Sequence, residues 1–138
     1  MSDTTTPHPL EQSPFSQSLG IRLISAGKDE VLVRMPATPA LANRNGVLHG
    51  GAILGMADHA GGTAAIMNLH PGEATTTIES KTNFLRPIRI GDTAHGRCIV
   101  LHKGRTTMVL QTTVAREDGK VAAIVTQTQM IMEWREPG

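Results

Sequence analysis

With 138 residues, a formal net charge of +1 and 39% hydrophobic residues, the chain is sized for one domain and lacks the bulk basicity of a general nucleic-acid binder. Its three aromatics, Phe15, Phe84 and Trp134, leave aliphatic residues, Met and Ala to fill the core. A lone cysteine, Cys98, excludes an internal disulfide and a Cys-rich metal site, and reads as a buried strand residue.

The first residues, MSDTTTPHPLEQSP, hold neither a basic nor an apolar targeting region, so no signal peptide is expected and a cytoplasmic location is the default. Residues 1–13 read as a flexible tail ahead of a single domain over 14–138. From Leu19 the pattern alternates through LGIRLIS, turns at Gly27-Lys28-Asp29 and resumes in EVLVRMP, predicting two short strands or a hairpin. Residues 37–50 read as a loop, with Pro36, Pro39 and Asn45-Gly46 as turn signals. A long helix of small and apolar residues follows over Gly50–Leu69, stopped by Pro71-Gly72. It approaches transmembrane length, but Asp58, His59, Asn68 and repeated glycines argue against a bilayer span.

The remainder reads as strands over 75–87, 93–103, 106–117 and 121–134, with Asp118-Gly119 as a two-residue hairpin signal. Met108, Leu110, Thr112 and Val114 share one face. So do Ala122, Ile124, Thr126, Thr128, Met130 and Met132. One helix apolar on nearly every face and five or six antiparallel strands define an α+β domain in which a curled sheet covers the helix. Gly55, Ala57, Ala60, Gly61 and Gly62 would admit a close neighbour, offsetting a propensity cost of about 1 kcal/mol per interior glycine.

Asp58 is the one acid of that helix. A buried carboxylate must be hydrogen-bonded or paired, or else it is held for chemistry. At the helix start, the amides of Gly50 and Gly51 have no intrahelical partner and lie at the positive end of the dipole. Such donors suit a developing oxyanion, although Gly-Gly could equally serve a tight corner. Eight residues at ~1.5 Å rise separate Gly50 from Asp58 by ~12 Å, too far for both to serve one carbonyl. If both are catalytic, the simplest site is shared by two chains, Gly50 of one facing Asp58 of the other, which predicts a homodimer with two equivalent sites.

The segment Asn43-Arg44-Asn45-Gly46-Val47-Leu48-His49-Gly50-Gly51, with Asp58 seven residues beyond the second glycine, resembles the hotdog-fold acyl-CoA thioesterases of the phenylacetate-pathway (PaaI-like) branch. The likeness extends over roughly residues 14–132, through PFSQSLGIRLISAGKDEVLVRMP before the motif and TNFLRPIRIGDTAHGRCIVLHKGRTTMVLQTTVAREDGKVAAIVTQT after it. It implies a hotdog fold, a curved antiparallel sheet wrapped around one long helix, whose sheets join in the dimer. It implies hydrolysis of an acyl-CoA thioester without a cofactor. Relatives of this branch are often dimers of dimers, so the resemblance extends to a homotetramer.

Residue by residue, the resemblance assigns Asp58 as nucleophile or general base, Gly50 as oxyanion donor, and Asn43 and His49 as positioning groups. Thr77 falls where related enzymes carry a hydroxyl that holds the attacking water, though Thr75 and Thr76 are close rivals. His49 could instead brace the helix start. Gly51 joins the substrate-binding set, as do Arg86, Lys103 and Arg105, which suit the CoA phosphates or else lie on solvated turns. Met56, Met67, Leu54, Ile53 and Phe84 could line an acyl tunnel, or belong to the core. His59, His70, His95 and His102 lack metal-ligand spacing, so no metal is expected. Without a Gly-x-Ser-x-Gly elbow a serine hydrolase is disfavoured. A hydratase would want an Asp–His pair, but Asp58 and His59 point about 100° apart on a helix. The alternative to catalysis is a hotdog module that only binds acyl-CoA. Aryl-acetyl and short- to medium-chain acyl groups both remain open.

Overall fold

A computed structural model of the chain describes residues 12–134, so the expected tail lies outside the described residues except for Gln12 and Ser13. Two helices, α1 (Pro14–Ser18) and α2 (Gly50–Ile66), accompany six strands: β1 (Arg22–Ala26), β2 (Glu30–Pro36), β3 (Glu73–Phe84), β4 (Thr93–Lys103), β5 (Thr107–Ala115) and β6 (Val121–Glu133). The strands form one sheet in the order β1-β2-β4-β5-β6-β3, with every neighbouring pair antiparallel. Helix α2 packs against β2, β3, β4, β5 and β6, so the sheet wraps it on several sides. This is the helix-in-sheet arrangement that the apolar pattern predicts.

The core is built as the composition requires. Met35, Met56, Ile88, Met108 and Leu110 are fully buried, and Ala57, Ala60, Ala64 and Ala65 bring the helix close to the sheet. In β5, Met108, Leu110, Thr112 and Val114 all face inward. Cys98 is buried in β4, and desolvation there pushes its thiol pKa up.

Four expectations shift. A short helix, α1, occupies Pro14–Ser18, where no element is expected; the Ser13 hydroxyl caps it by accepting from the Ser16 amide at 3.1 Å. Its Phe15 and Leu19 lie over Gly55. The first strand begins at Arg22 rather than Leu19. Helix α2 stops at Ile66, short of Leu69: the Asn68 side chain donates to the carbonyls of Ala64 and Lys28, both at 2.8 Å, taking the i−4 acceptor, while the Asn68 and Leu69 amides turn to Ala65 and Ile66, three residues back. The β5–β6 hairpin uses a three-residue loop rather than two: the Arg116 amide pairs with Lys120, Gly119 donates back to Arg116, and Gly119 takes the positive φ of 85° that this closure needs. The Arg116 guanidinium clasps Asp118 at 2.6 Å and holds its carboxyl pKa down to about 2.

Two features frame the site. Along α2, Gly51, Leu54 and Asp58 are exposed at spacings of three and four, leaving one open stripe on an otherwise covered helix. Beside it runs β3, a twelve-residue strand at the sheet edge with Ile78 and Phe84 more than half exposed. Its register with β6 slips at Ile78, between the pairs Thr77–Gln129 and Glu79–Thr128.

Candidate active site

The helix start is organised by local hydrogen bonds. Asn43 Oδ1 accepts from the amides of Asn45 at 2.9 Å and Val47 at 3.2 Å, closing the loop that delivers the chain to α2. His49 is the N-cap, and its Nδ1 accepts from the Gly51 amide at 2.7 Å. Because Nδ1 is an acceptor, neutral His49 must carry its proton on Nε2, leaving an N–H donor on an exposed ring. The Gly51 amide is therefore engaged within its own chain. The Gly50 amide has no acceptor among the described residues.

A groove of about 340 Å³ opens at this helix start, lined by Asn43, Gly50, Ile53, Phe84, Arg86 and neighbours. Phe84 forms one wall, so close that a β-carbon at Gly50 would lie 3.1 Å from its Cζ. Arg86 donates through Nη1 to the Val121 carbonyl at 2.7 Å and remains exposed at the groove mouth. Of the apolar residues considered for a tunnel, Ile53 and Phe84 line this groove, whereas Met56 is fully buried core and Leu54 belongs to the open stripe.

Asp58 lies elsewhere, and not as a buried charge. It is exposed in the single chain, which removes the desolvation cost expected from an apolar helix. Its Oδ1 accepts from the Thr77 hydroxyl of β3 at 3.0 Å. Thr77 rather than Thr76 makes this contact, because strand parity turns Thr75 and Thr77 to the helix side. Neighbouring His59 is half-buried, with its Nε2 lacking a hydrogen-bond partner among the described residues. Burial pushes its pKa down, partly opposed by the Asp58 charge.

Sequence reasoning missed what stands behind Thr77. Gln129 of β6, 1% exposed, donates from Nε2 to Thr77 Oγ1 at 2.6 Å and to Gln127 Oε1 at 2.7 Å, and accepts at Oε1 from the Thr75 hydroxyl at 2.9 Å. The carboxamide of Gln127 lies flat on α2 at Gly61, where a β-carbon would come within 2.1 Å of its Oε1. The available signal was parity: Gln127 and Gln129 share a face with Val125, so two amides point into an apolar core.

The predicted residues thus fall into two groups in the single chain. Asn43, Gly50 and Arg86 meet in the groove, with His49 capping the same helix end. Asp58 and Thr77 meet further along α2. Lys103 and Arg105 join neither group by contact; Lys103 pairs with Met108, Met108 with Gln129 and Gln129 with Thr77, so the β4–β5 turn lies in the cross-strand row of the acid.

Fold and motif together define a hotdog thioesterase, and residues 45–123 match the thioesterase superfamily model over more than half the chain. The chain belongs to that family. A protein of Saccharolobus solfataricus to which an esterase activity has been ascribed is 36% identical over 106 residues, 76% of this chain and 74% of that one. The acyl-coenzyme A thioesterase PaaI of Escherichia coli is 29% identical over 114 residues, covering 83% of this chain and 79% of the relative. The solved E. coli PaaI structure superposes with a TM-score of 0.82 at 26% identity, over 88% and 86% of the two chains. A Streptococcus mutans protein solved with acetyl-CoA bound gives 0.77 at 28%, over 84% and 91%. Within the superfamily the chain is a PaaI-like thioesterase, a thiolester hydrolase.

Proposed function

We propose that the chain hydrolyses acyl-CoA thioesters at two sites shared across a homodimer, with Asp58 of one chain serving the helix start of the other. The observation that carries this reading is the separation within one chain: the free Gly50 amide lies in a groove lined by Phe84, whereas Asp58 is tethered to Thr77, seven residues away along β3. At ~3.3 Å per residue that is roughly 20 Å of strand. The edge position of β3, its exposed Ile78 and Phe84, and the open Gly51–Leu54–Asp58 stripe all favour a second copy as the missing cover. An antiparallel pairing of two β3 strands, centred between Ser80 and Lys81, sets Thr77 opposite the partner subunit's Phe84.

In that arrangement the thioester carbonyl lies at the Gly50 amide, which stabilises the oxyanion at the positive end of α2. The His49 Nε2–H supplies a second donor beside it, and Asn43 holds the loop that sets both. Asp58, oriented by Thr77, either attacks the carbonyl or takes a proton from the attacking water. On the first route the CoA thiolate leaves behind an acyl-Asp58 anhydride that water hydrolyses; on the second its departure gives the free acid directly. Arg86 of one chain, with Lys103 and Arg105 of the other, is the basic set for the CoA phosphates. Phe84 and Ile53 shape the acyl side, and the likeness to PaaI supports aryl-acetyl or short- to medium-chain acyl groups. A dimer of dimers is the assembly proposed on the same likeness. The residues that would be dispensable in a mere acyl-CoA-binding module, Asp58 and its Thr77 tether, are both in place, which favours catalysis.

Thiol release from a panel of acyl-CoAs varying in chain length and aromaticity tests this. Asp58→Ala should lower kcat by on the order of a thousandfold. Wild-type turnover in Asp58→Ala would remove the acid from the mechanism, and tight acyl-CoA binding without hydrolysis by the wild type would favour the binding module.

A further inference from the structure

We infer that Gln129 is a positioning residue for the thioesterase reaction, acting on Asp58 only through the Thr77 hydroxyl. The inference rests on the proposed role of Asp58. The polarity of the buried network follows from proton counting. An ionised carboxylate accepts and cannot donate, so the single Thr77 proton must go to Asp58 Oδ1. Thr77 Oγ1 must then receive rather than give in its 2.6 Å contact with Gln129, which requires Gln129 to present Nε2. The other Nε2 proton goes to Gln127 Oε1, and Gln129 Oε1 is left for the Thr75 hydroxyl. Were the Gln129 amide reversed, its oxygen would compete with Asp58 for the Thr77 proton.

This orientation is maintained at a cost. Gln127 Nε2 is buried with no hydrogen-bond partner among the described residues, and Gly61 gives up helix propensity to admit the Gln127 side chain. Apolar residues of similar volume at 127 and 129 would pack without an unsatisfied donor. The network therefore makes sense as a device that commits the Thr77 proton to Oδ1, keeping the remaining carboxylate lone pairs for the reaction.

The test is a double-mutant cycle on kcat and KM with Gln129→Met and Thr77→Val. Gln129→Met should lower kcat roughly tenfold, about the worth of one hydrogen bond, with KM unchanged. In the Thr77→Val background the same substitution should lower kcat no further. Equal losses in both backgrounds, a loss confined to KM, or an unchanged kcat would overturn the inference. If Gln129→Met fails to fold by circular dichroism, Gln129→Leu, which also has no donor and introduces no buried charge, carries the same cycle. A readout that needs no variant is side-chain hydrogen exchange in the wild type: both Gln129 Nε2 protons should be protected, and rapid exchange of either overturns the assignment. Asp58→Ala separates the two levels. Wild-type turnover there sinks the catalytic reading itself, whereas an inactive Asp58→Ala with additive losses in the cycle sinks only the role of Gln129.

Discussion

The two halves of the candidate site are built in opposite ways. At the helix start, the side-chain hydrogen bonds that shape the loop join residues two to four apart, Asn43 to Asn45 and Val47 and His49 to Gly51, while backbone bonds from His49 to Leu41 and from Leu48 to Ile88 dock it on the fold. At the acid, the contacts span 19, 52 and 54 residues, from Asp58 to Thr77 and from Gln129 to Thr77 and Thr75. The first half is a short piece of chain whose side chains close its own turns before the fold docks it against Ile88 and Phe84. The second exists only once β3, β6 and α2 have packed. Insults to each half should therefore differ in kind: chemistry lost with the fold intact at the helix start, chemistry and stability lost together behind the acid.

The sharpest local insult is Gly50→Pro. Proline suits the first position of a helix, and His49 already has the extended ψ of 136° that a residue before proline prefers, so the backbone is spared while the amide proton is deleted. Phe84, more than half exposed, has room to yield to the new ring. Activity should fall by roughly a hundredfold or more with little change in melting temperature. A variant as active as wild type would remove the oxyanion role from this amide.

Behind the acid, Gly61→Ala drives a methyl group into the buried Gln127 carboxamide. Urea unfolding should show a loss of about 1–3 kcal/mol, accompanied by lower kcat as Gln129 shifts. Unchanged stability would mean that the network is looser than its distances indicate.

The smallest effect is a pH slope. The folded-state pKa of His59 lies below its unfolded value near 6.5, so the unfolded chain binds the proton first and stability falls as pH drops below about 6.5. Melting temperatures between pH 7 and 5 should decline less steeply in His59→Gln than in wild type. Equal slopes would place the acid sensitivity on other groups.

The contrast between the halves also explains what could be read from the chain alone. The start of the helix, the inward face of β5 and the motif from Asn43 to Gly51 rest on spacing and turn chemistry, and they stand where those rules put them. The glycine donors were legible for the same reason, although the cap that engages the Gly51 amide was open, since His49 as brace and His49 as catalytic group share one sequence. Asp58 was legible as an anomaly, and the hydrogen bond that such a carboxylate calls for comes from Thr77; spacing alone did not show that its stripe lies open in the single chain. Gln127 and Gln129 stayed hidden because parity says which face a residue takes, not what it meets there. Helix α1 was missed because five residues carry too little periodicity to register; its Ser13 cap, the buried Ser16 and its packing over Gly55 hold it.

The shared site is tested most directly by mixing two inactive chains. Asp58→Ala and Gly50→Pro, each inactive alone, are unfolded together and refolded, and acyl-CoA hydrolysis is measured. If Asp58 serves the other chain's Gly50, every mixed dimer holds one doubly damaged and one intact site, and random pairing restores about a quarter of wild-type activity. If each chain uses its own Asp58 and Gly50, every site in the mixed dimer stays damaged, and no recovery would contradict the shared site.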